Sequence, residues 1–335
     1  MKKNNIRTIS ILSLQHMLVD FICAAVMYHK ILNGQGNQAV IYNMCAFALQ
    51  MPFGLMADLS RTKIRNISAL FVCGSVPFLA AGCMGSCILL GIGNALFHVG
   101  GGIITINADY KGRFEGRGLG CFVAPGAIGL VCGKLLSNYV IQITIGVLII
   151  LAVLCTVLLH EKNEDSETSV SKIEINPDLL ITVICCFLVV LFRSYVGLKM
   201  TFAWRISALL IFISVVVLAA GKTLGGFAAP VFGMRKTIIV SLVGAAICFM
   251  LKDMLPFGMA ALLLFNMSMP LTLYLLANRM PTTPGLAFGI LTFALFVGYL
   301  PSAYGVTLSN MALTGAILSL LSALMLTVAC RYEDK

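Results

Sequence analysis

Long runs of apolar residues alternate with short polar links along the whole chain. A helix needs about 20 predominantly apolar residues to cross a bilayer, and most of these runs are close to that length. Within each run the apolar residues are continuous rather than alternating, which favours helices over the strands of a barrel. We read twelve such runs, at about residues 7–28, 37–57, 66–82, 87–107, 118–138, 139–160, 178–198, 206–227, 237–251, 256–277, 284–303 and 309–330.

The composition also indicates a membrane protein. Of 335 residues, 59% are hydrophobic and 11% are charged, which leaves too little polar side chain to cover a water-soluble surface. The predicted fold class is therefore an all-α polytopic membrane protein with twelve transmembrane helices and no separate soluble domain. The cysteines form no Cys-x-x-Cys pair and no other spacing typical of a metal site. We expect neither a metal nor a cofactor.

The formal net charge of +10 would suit a nucleic-acid-binding protein, but the positions of the cations favour another explanation. With the N-terminus placed inside, most of the 23 Lys and Arg fall on inner links and tails. This is the distribution that the positive-inside rule describes. We therefore predict a multi-pass protein of the cytoplasmic membrane with both termini in the cytoplasm. Its surroundings are the lipid bilayer, and nucleic acid is not expected as a partner.

The chain divides into two halves that echo each other. One long, acidic link at 161–177 separates a six-helix bundle at 1–160 from a second at 178–335, and its composition is that of a solvated linker. The shift that carries Gly54 onto Gly226 also carries Asn94 onto Asn266. It places Asp20 opposite Phe192, next to Arg193. Internal repeats of this kind are typical of transporters.

The polar link after the second span carries a recognisable motif. It reads Gly54-Leu-Met-Ala-Asp58-Leu-Ser-Arg61-Thr-Lys63, and its second copy has Gly226, Pro230 and the pair Arg235-Lys236. This link resembles the loop between helices 2 and 3 of major facilitator superfamily transporters, with Arg61 where that pattern has Gly. Together with the six-plus-six repeat, the resemblance covers nearly the whole chain.

A narrower resemblance rests on the first and fourth spans. The pattern His16-x-x-x-Asp20 and the run Gly91-Ile-Gly-Asn94-Ala-Leu-Phe-His98 are similar to fosmidomycin-resistance-type exporters.

The superfamily resemblance implies two pseudo-symmetric bundles that rock about a midplane site. It also implies that Asp58 holds the cytoplasmic side closed by meeting the start of helix 11, where Thr283-Pro284 suits a helix start. We predict Gly54, Asp58, Arg61, Lys63, Arg235 and Lys236 as gating residues.

Buried ionisable residues are the candidates for chemistry, since each costs at least ~2.5 kcal/mol to insert in a bilayer. His16 and Asp20 are four residues apart and share one helix face. Asp20 is the predicted proton-coupling carboxylate, with His16 as relay or support. The alternative is a structural hydrogen bond between His16 and Asp20 that only holds the first helix.

Other polar residues inside the spans have alternatives of the same kind. Arg193 either binds an anionic substrate or forms a fixed pair with Asp20. Asn94 and His98 share a face of the fourth span, and the alternative there is tight packing of a glycine-rich helix. Lys134, like Lys222, lies toward a helix end, where a long side chain can reach the interface. The predicted substrate- and proton-binding set is His16, Asp20, Asn94, His98, Lys134, Arg193 and Asn266, the last beside a helix-breaking Pro270.

The interior cations outnumber the acids, which predicts a net positive cavity and an organic anion as substrate. We expect a monomeric secondary transporter coupled to protons, with export favoured over uptake and no enzymatic activity. The chain has no Gly-x-x-x-x-Gly-Lys-Ser/Thr motif, so ATP is not expected to drive it by that route. The alternatives are a polytopic membrane enzyme and a non-transporting sensor or scramblase with a transporter fold.

Overall fold

The computed structural model describes residues 3–31, 36–60, 64–112, 116–135, 140–160 and 176–331, and the part of the chain it describes contains helices and no strand. We number the membrane-length segments α1 to α12. In the first half they are α1 (Lys3–Val26, continued by the π-helical Met27–Ile31), α2 (Gly36–Asn43, Met44–Ala48 and Gln50–Leu59), α3 (Ile64–Gly82), α4 (Cys87–Gly112), α5 (Arg117–Leu135) and α6 (Val140–His160).

The other six segments follow in the second half of the chain. Its segments are α7 (Pro177–Lys199), α8 (Ala208–Phe232), α9 (Met234–Met250), α10 (Leu255–Asn266 and Ser268–Arg279), α11 (Pro284–Ala303) and α12 (Met311–Arg331). Within the described residues, 9 segments are long and apolar enough to cross a membrane, two more form shorter apolar helices, and Met234–Met250 completes the twelve. The predicted twelve-helix, all-α fold class is confirmed.

An even number of crossings brings both ends of the chain to one side, which we call the inner side. The sequence predicts that this side faces the cytoplasm, and the orientation stays a prediction. Most of the predicted link at 161–177 lies outside the described residues. The division into bundles at 1–160 and 178–335 also stays a prediction.

Segment α10 is broken in its middle, as its Asn and Pro residues predict. Its two helices meet at Met267. Asn266 Nδ2 donates to the Leu262 carbonyl at 2.8 Å, and Ser268 Oγ donates to the Phe265 carbonyl at 2.7 Å. Side-chain bonds of this kind satisfy carbonyl groups where a helix is interrupted inside a membrane.

Segments α1 and α5 approach each other closely because glycines line their contact. A Cβ atom added to Gly129 would collide with the Met17 carbonyl oxygen, and one added to Gly133 would collide with the Phe21 carbonyl. Close approach of this kind lets backbones pack directly where the hydrophobic effect cannot drive association. It also fixes the polar face of α1 against α5, which positions the candidate site.

Gly129→Ala is expected to destabilise the fold because the added methyl group meets backbone rather than a movable side chain. Overpacking of this kind costs about 1–3 kcal/mol. Thermal unfolding of the purified protein in detergent measures the effect. Gly146→Ala is the matched control, since a Cβ at Gly146 in α6 meets nothing within 4 Å. Equal unfolding temperatures for the two variants would contradict the close contact.

Candidate functional site

Two histidines and one carboxylate from the first half converge between α1 and α4. His16 Nε2 lies 2.9 Å from His98 Nε2 and 3.3 Å from Asp20 Oδ2. His98 Nε2 lies 3.6 Å from Asp20 Oδ1. Both histidines are buried, with 6% of His16 and 7% of His98 exposed. The i, i+4 spacing in α1 brings His16 and Asp20 to one face, and the packing of α4 adds His98.

The opposite nitrogen of each imidazole is held by a backbone carbonyl. His16 Nδ1 lies 2.7 Å from the Phe122 carbonyl oxygen in α5, and His98 Nδ1 lies 2.9 Å from the Asn94 carbonyl oxygen. A carbonyl can only accept, so each Nδ1 carries the hydrogen of its bond. Each Nε2 therefore presents a lone pair to the cluster when its ring is neutral.

The surroundings of this cluster fix its shape. Asn94 Nδ2 lies 3.4 Å from Asp20 Oδ1 and 3.5 Å from Cys23 Sγ, so it donates toward the carboxylate. Gly126 leaves the room that the cluster occupies, since a Cβ there would collide with His16 Nε2. The rings of Phe97 and Phe122 contact His16 at centroid distances of 6.0 and 4.8 Å and shield it on the apolar side.

The second half contributes two cations. Arg193 in α7 is 8% exposed, and its Nη1 is buried without a hydrogen-bond partner. Among the described residues, no ion pair joins Arg193 to Asp20, the fixed pair that the sequence left open. Lys222 in α8 carries a charge in electrostatic range of both Arg193 and Asp20.

Lys222 points into the protein rather than toward the membrane interface. Its Nζ donates to the Val123 carbonyl of α5 at 3.3 Å, so a cation of the second half contacts a helix of the first half. Phe122 and Val123, whose carbonyls accept from His16 and Lys222, lie just before Pro125 in the same helix. A proline bends its helix and leaves carbonyl groups of that turn free for other donors.

Two residues of the predicted set lie apart from the cluster. Lys134 is in the last turn of α5 with an exposed side chain. At a helix end a long side chain can reach the interface, which was the alternative for this residue. Asn266, the repeat partner of Asn94, bonds its own helix at the break in α10. His16, Asp20, Asn94 and His98 come together in the first half. Lys222 of the second half lies in electrostatic range of both Asp20 and Arg193.

A separate polar contact joins the halves at the inner end. Asp58, at the end of α2, accepts from the backbone N–H groups of Gly285 at 3.0 Å and Leu286 at 2.7 Å. These groups belong to the first turn of α11, which begins at Pro284 after Thr283. The backbones of Gly54 and Gly285 also touch, since a Cβ on either would collide with the other's carbonyl. We call Gly54, Asp58, Gly285 and Leu286 the inner contact, and the gating role of Gly54 and Asp58 stays a prediction.

The remaining residues predicted for gating lie elsewhere. Arg235 and Lys236 are exposed in the first turn of α9. Arg61 and Lys63 lie outside the described residues.

A second buried carboxylate, which the sequence did not predict, lies at the inner end. Asp109 in α4 is 1% exposed and accepts from the N–H groups of Gly118 at 3.2 Å and Leu119 at 3.4 Å, in the first turn of α5. It caps a helix of its own half, whereas Asp58 caps a helix of the other half. The available signal was an acid shortly before a glycine-rich link and a new apolar run.

Solved structures of transporters share this fold. The chain is similar to the fucose:proton symporter FucP of E. coli, with 13% identity, 99% of each chain covered and a TM-score of 0.63. It is also similar to the human organic anion transporter MFSD10 (TETRAN), with 12% identity, 98% of this chain and 100% of that chain covered and a TM-score of 0.69. No protein-family model and no curated protein sequence matches the chain. Another solved structure of FucP is described as a Major Facilitator Superfamily transporter, and at these identities the similarity establishes that fold alone.

Proposed function

We propose that this chain, which has the fold of the major facilitator transporters, moves a small organic anion across the cytoplasmic membrane by alternating access. The observation that carries the proposal is Arg193, a buried guanidinium whose Nη1 has no hydrogen-bond partner. A charged side chain at such depth costs at least ~2.5 kcal/mol, and a bound anion would offset that cost. A guanidinium suits carboxylate, phosphonate and phosphate groups because it can donate two parallel hydrogen bonds.

The charge balance around Arg193 supports an anion. Lys222 adds a second interior cation within electrostatic range of Arg193. Asp20, a carboxylate in electrostatic range of Lys222, already contacts His16, His98 and Asn94. An anion between Arg193 and Lys222 would contact groups of the second half directly, and the first half through the Lys222 bond to Val123. A ligand that contacts both halves is what alternating access about a midplane site requires.

Proton coupling is the second part of the proposal. A solved structure of the same fold is described as a fucose:proton symporter, and another as an organic anion transporter. The assignment of the coupling proton to Asp20 stays a prediction of the sequence, and so does export over uptake. In proteoliposomes, an ionophore that collapses the pH gradient should abolish accumulation of the anion while leaving exchange intact. Accumulation that persists would contradict the coupling.

Arg193→Met is expected to abolish anion binding while the fold survives, since the change removes a charge that has no partner on Nη1. A thermal-shift screen of carboxylates, phosphonates and phosphates on the purified protein gives the readout. A ligand at a hundred times its dissociation constant stabilises by about 2.7 kcal/mol, and Arg193→Met should lose that shift. Lys199→Met, in the last turn of the same helix, is the control and should keep it. Stabilisation only by cations or uncharged solutes would overturn the proposal.

Transport itself is tested by counterflow. Liposomes loaded with the unlabelled anion should accumulate labelled anion through the wild-type protein and not through Arg193→Met. A protein that binds the anion but shows no counterflow would be a sensor with a transporter fold. A protein that converts the anion chemically would be the membrane enzyme that the sequence left as an alternative.

A further inference from the structure

We propose that His16, Asp20 and His98 together bind one divalent transition metal ion of the class of Zn²⁺ and Co²⁺. Their three ligand atoms, two imidazole Nε2 and one carboxylate oxygen, all lie within 4.8 Å of one another. They come from helices α1 and α4, which pack against each other in the buried interior of the first half. The cysteine spacing predicted no metal, and no local spacing reveals a site built from two separate helices.

The hydrogen bonds behind the histidines favour a cation in front of them. Both Nδ1 atoms donate to carbonyls, of Phe122 and of Asn94. Two neutral rings would therefore direct lone pairs at each other across 2.9 Å, beside a carboxylate that also only accepts. Asn94 Nδ2 donates toward Asp20 Oδ1 only, so the acceptors that face one another still repel, and a bound cation removes the repulsion. Metal-bound histidines typically have such a carbonyl or carboxylate on the opposite nitrogen.

The distances suit a small divalent ion. Ligand atoms about 2.1 Å from zinc in a tetrahedron lie about 3.4 Å apart. His16 Nε2 lies 3.3 Å from Asp20 Oδ2 and His98 Nε2 lies 3.6 Å from Asp20 Oδ1, both close to this value. A single oxygen of the carboxylate lies within 4.8 Å of both nitrogens, so a small rotation of the carboxylate suits a shared ion. The histidine–histidine distance of 2.9 Å needs only a small tilt of one ring. Two imidazoles and one carboxylate suit Zn²⁺, Co²⁺ or Ni²⁺, whereas Ca²⁺ and Mg²⁺ prefer oxygen ligands alone.

Three protein ligands leave one coordination position open for another donor. Lys222 is in electrostatic range of Asp20, so its positive charge repels a metal ion bound there. A carboxylate or phosphonate that occupied the open position would reduce this repulsion and extend toward Lys222 and Arg193. This step rests on the proposed function and narrows the substrate to an anion able to coordinate a metal. The metal site itself rests only on His16, Asp20 and His98.

The test is a titration of the full-length, chelator-treated protein in detergent with Co²⁺ alone. We expect visible ligand-field absorption that saturates at one ion per chain and disappears on addition of Zn²⁺. His98→Asn and Asp20→Asn should lose the absorption, whereas His29→Asn, outside the cluster, should keep it. Lys222→Met should raise the Co²⁺ affinity about tenfold because it removes a nearby like charge.

Several results would overturn the proposal. A cluster that holds only a proton would give no Co²⁺ absorption in the wild type. Equal loss in His29→Asn, or an unchanged affinity in Lys222→Met, would place the ion elsewhere. If His98→Asn does not fold, X-ray absorption of the Co²⁺-loaded wild type tests the site instead. The site requires two imidazoles bound to the ion, and fewer than two would overturn it. Arg193→Met should keep Co²⁺ and lose anion binding, so the two proposals fail separately.

Discussion

Asp58→Asn is expected to shift the resting protein toward a state open on the inner side. The Asp58 carboxylate accepts from two N–H groups at the start of α11, at 3.0 and 2.7 Å, and so joins the halves at their inner end. An amide has one oxygen to accept with, and its NH₂ group would face the second N–H donor. The negative charge that complements the positive helix end is lost as well.

The expected size follows from the bonds that are lost. A hydrogen bond to a charged group contributes about 1.5–3 kcal/mol. Loss of one such bond in only the closed state would shift the population about ten- to a hundredfold toward the open state. Pulsed electron resonance between labels at the inner ends of α2 and α11 measures the change as a longer distance. The labels need attachment through an unnatural amino acid, since the chain has 12 cysteines.

Asp109→Asn is the matched control for this experiment. Asp109 makes the same pair of contacts to a helix start, but with α5 of its own half. Its change should lower the unfolding temperature and leave the distance between the halves as in the wild type. A longer distance in Asp109→Asn, or an unchanged distance in Asp58→Asn, would refute the gating role of Asp58.

The twelve-helix fold was predictable because continuous apolar length is a local property. The errors came at helix ends, where polar residues extend a helix beyond its apolar run. The run at 87–107 ends before Asp109, yet α4 continues to Gly112 and includes it. The run at 206–227 put Lys222 near an end, yet α8 continues to Phe232, which leaves Lys222 deep inside. The omission of Asp109 and the placement of Lys222 near an end both follow from helices that are longer than their hydrophobic stretches.

The candidate site was predictable only in part, because tertiary contacts assemble it. The spacing of His16 and Asp20 fixes a shared helix face, but the approach of His98 depends on how α4 packs. The sequence placed both Asn94 and its repeat partner Asn266 in the predicted binding set, yet Asn266 bonds a carbonyl at the break in its own helix. Asparagine readily makes such local bonds, and sequence alone cannot decide between them and a distant partner.

Gly54→Val is expected to keep the inner contact from forming. A Cβ on Gly54 would collide with the carbonyl group of Gly285 in α11, and a Cβ on Gly285 would collide with Gly54 in return. Both obstacles are backbone atoms of helices, Gly285 in the first turn of α11 and Gly54 near the end of α2. Neither can move aside as a side chain would. The halves must then separate, and Asp58 no longer reaches its two donors.

A protein fixed in one state can bind its substrate and cannot carry it across the membrane, because alternating access requires both states. Counterflow through Gly54→Val should therefore fall at least about a hundredfold if closure costs about 2.7 kcal/mol more, while the anion still raises the unfolding temperature. Gly74→Val makes the same change in helix propensity at a position where a Cβ meets nothing within 4 Å, and it should transport normally. Normal counterflow through Gly54→Val would show that this contact is not needed for the closed state.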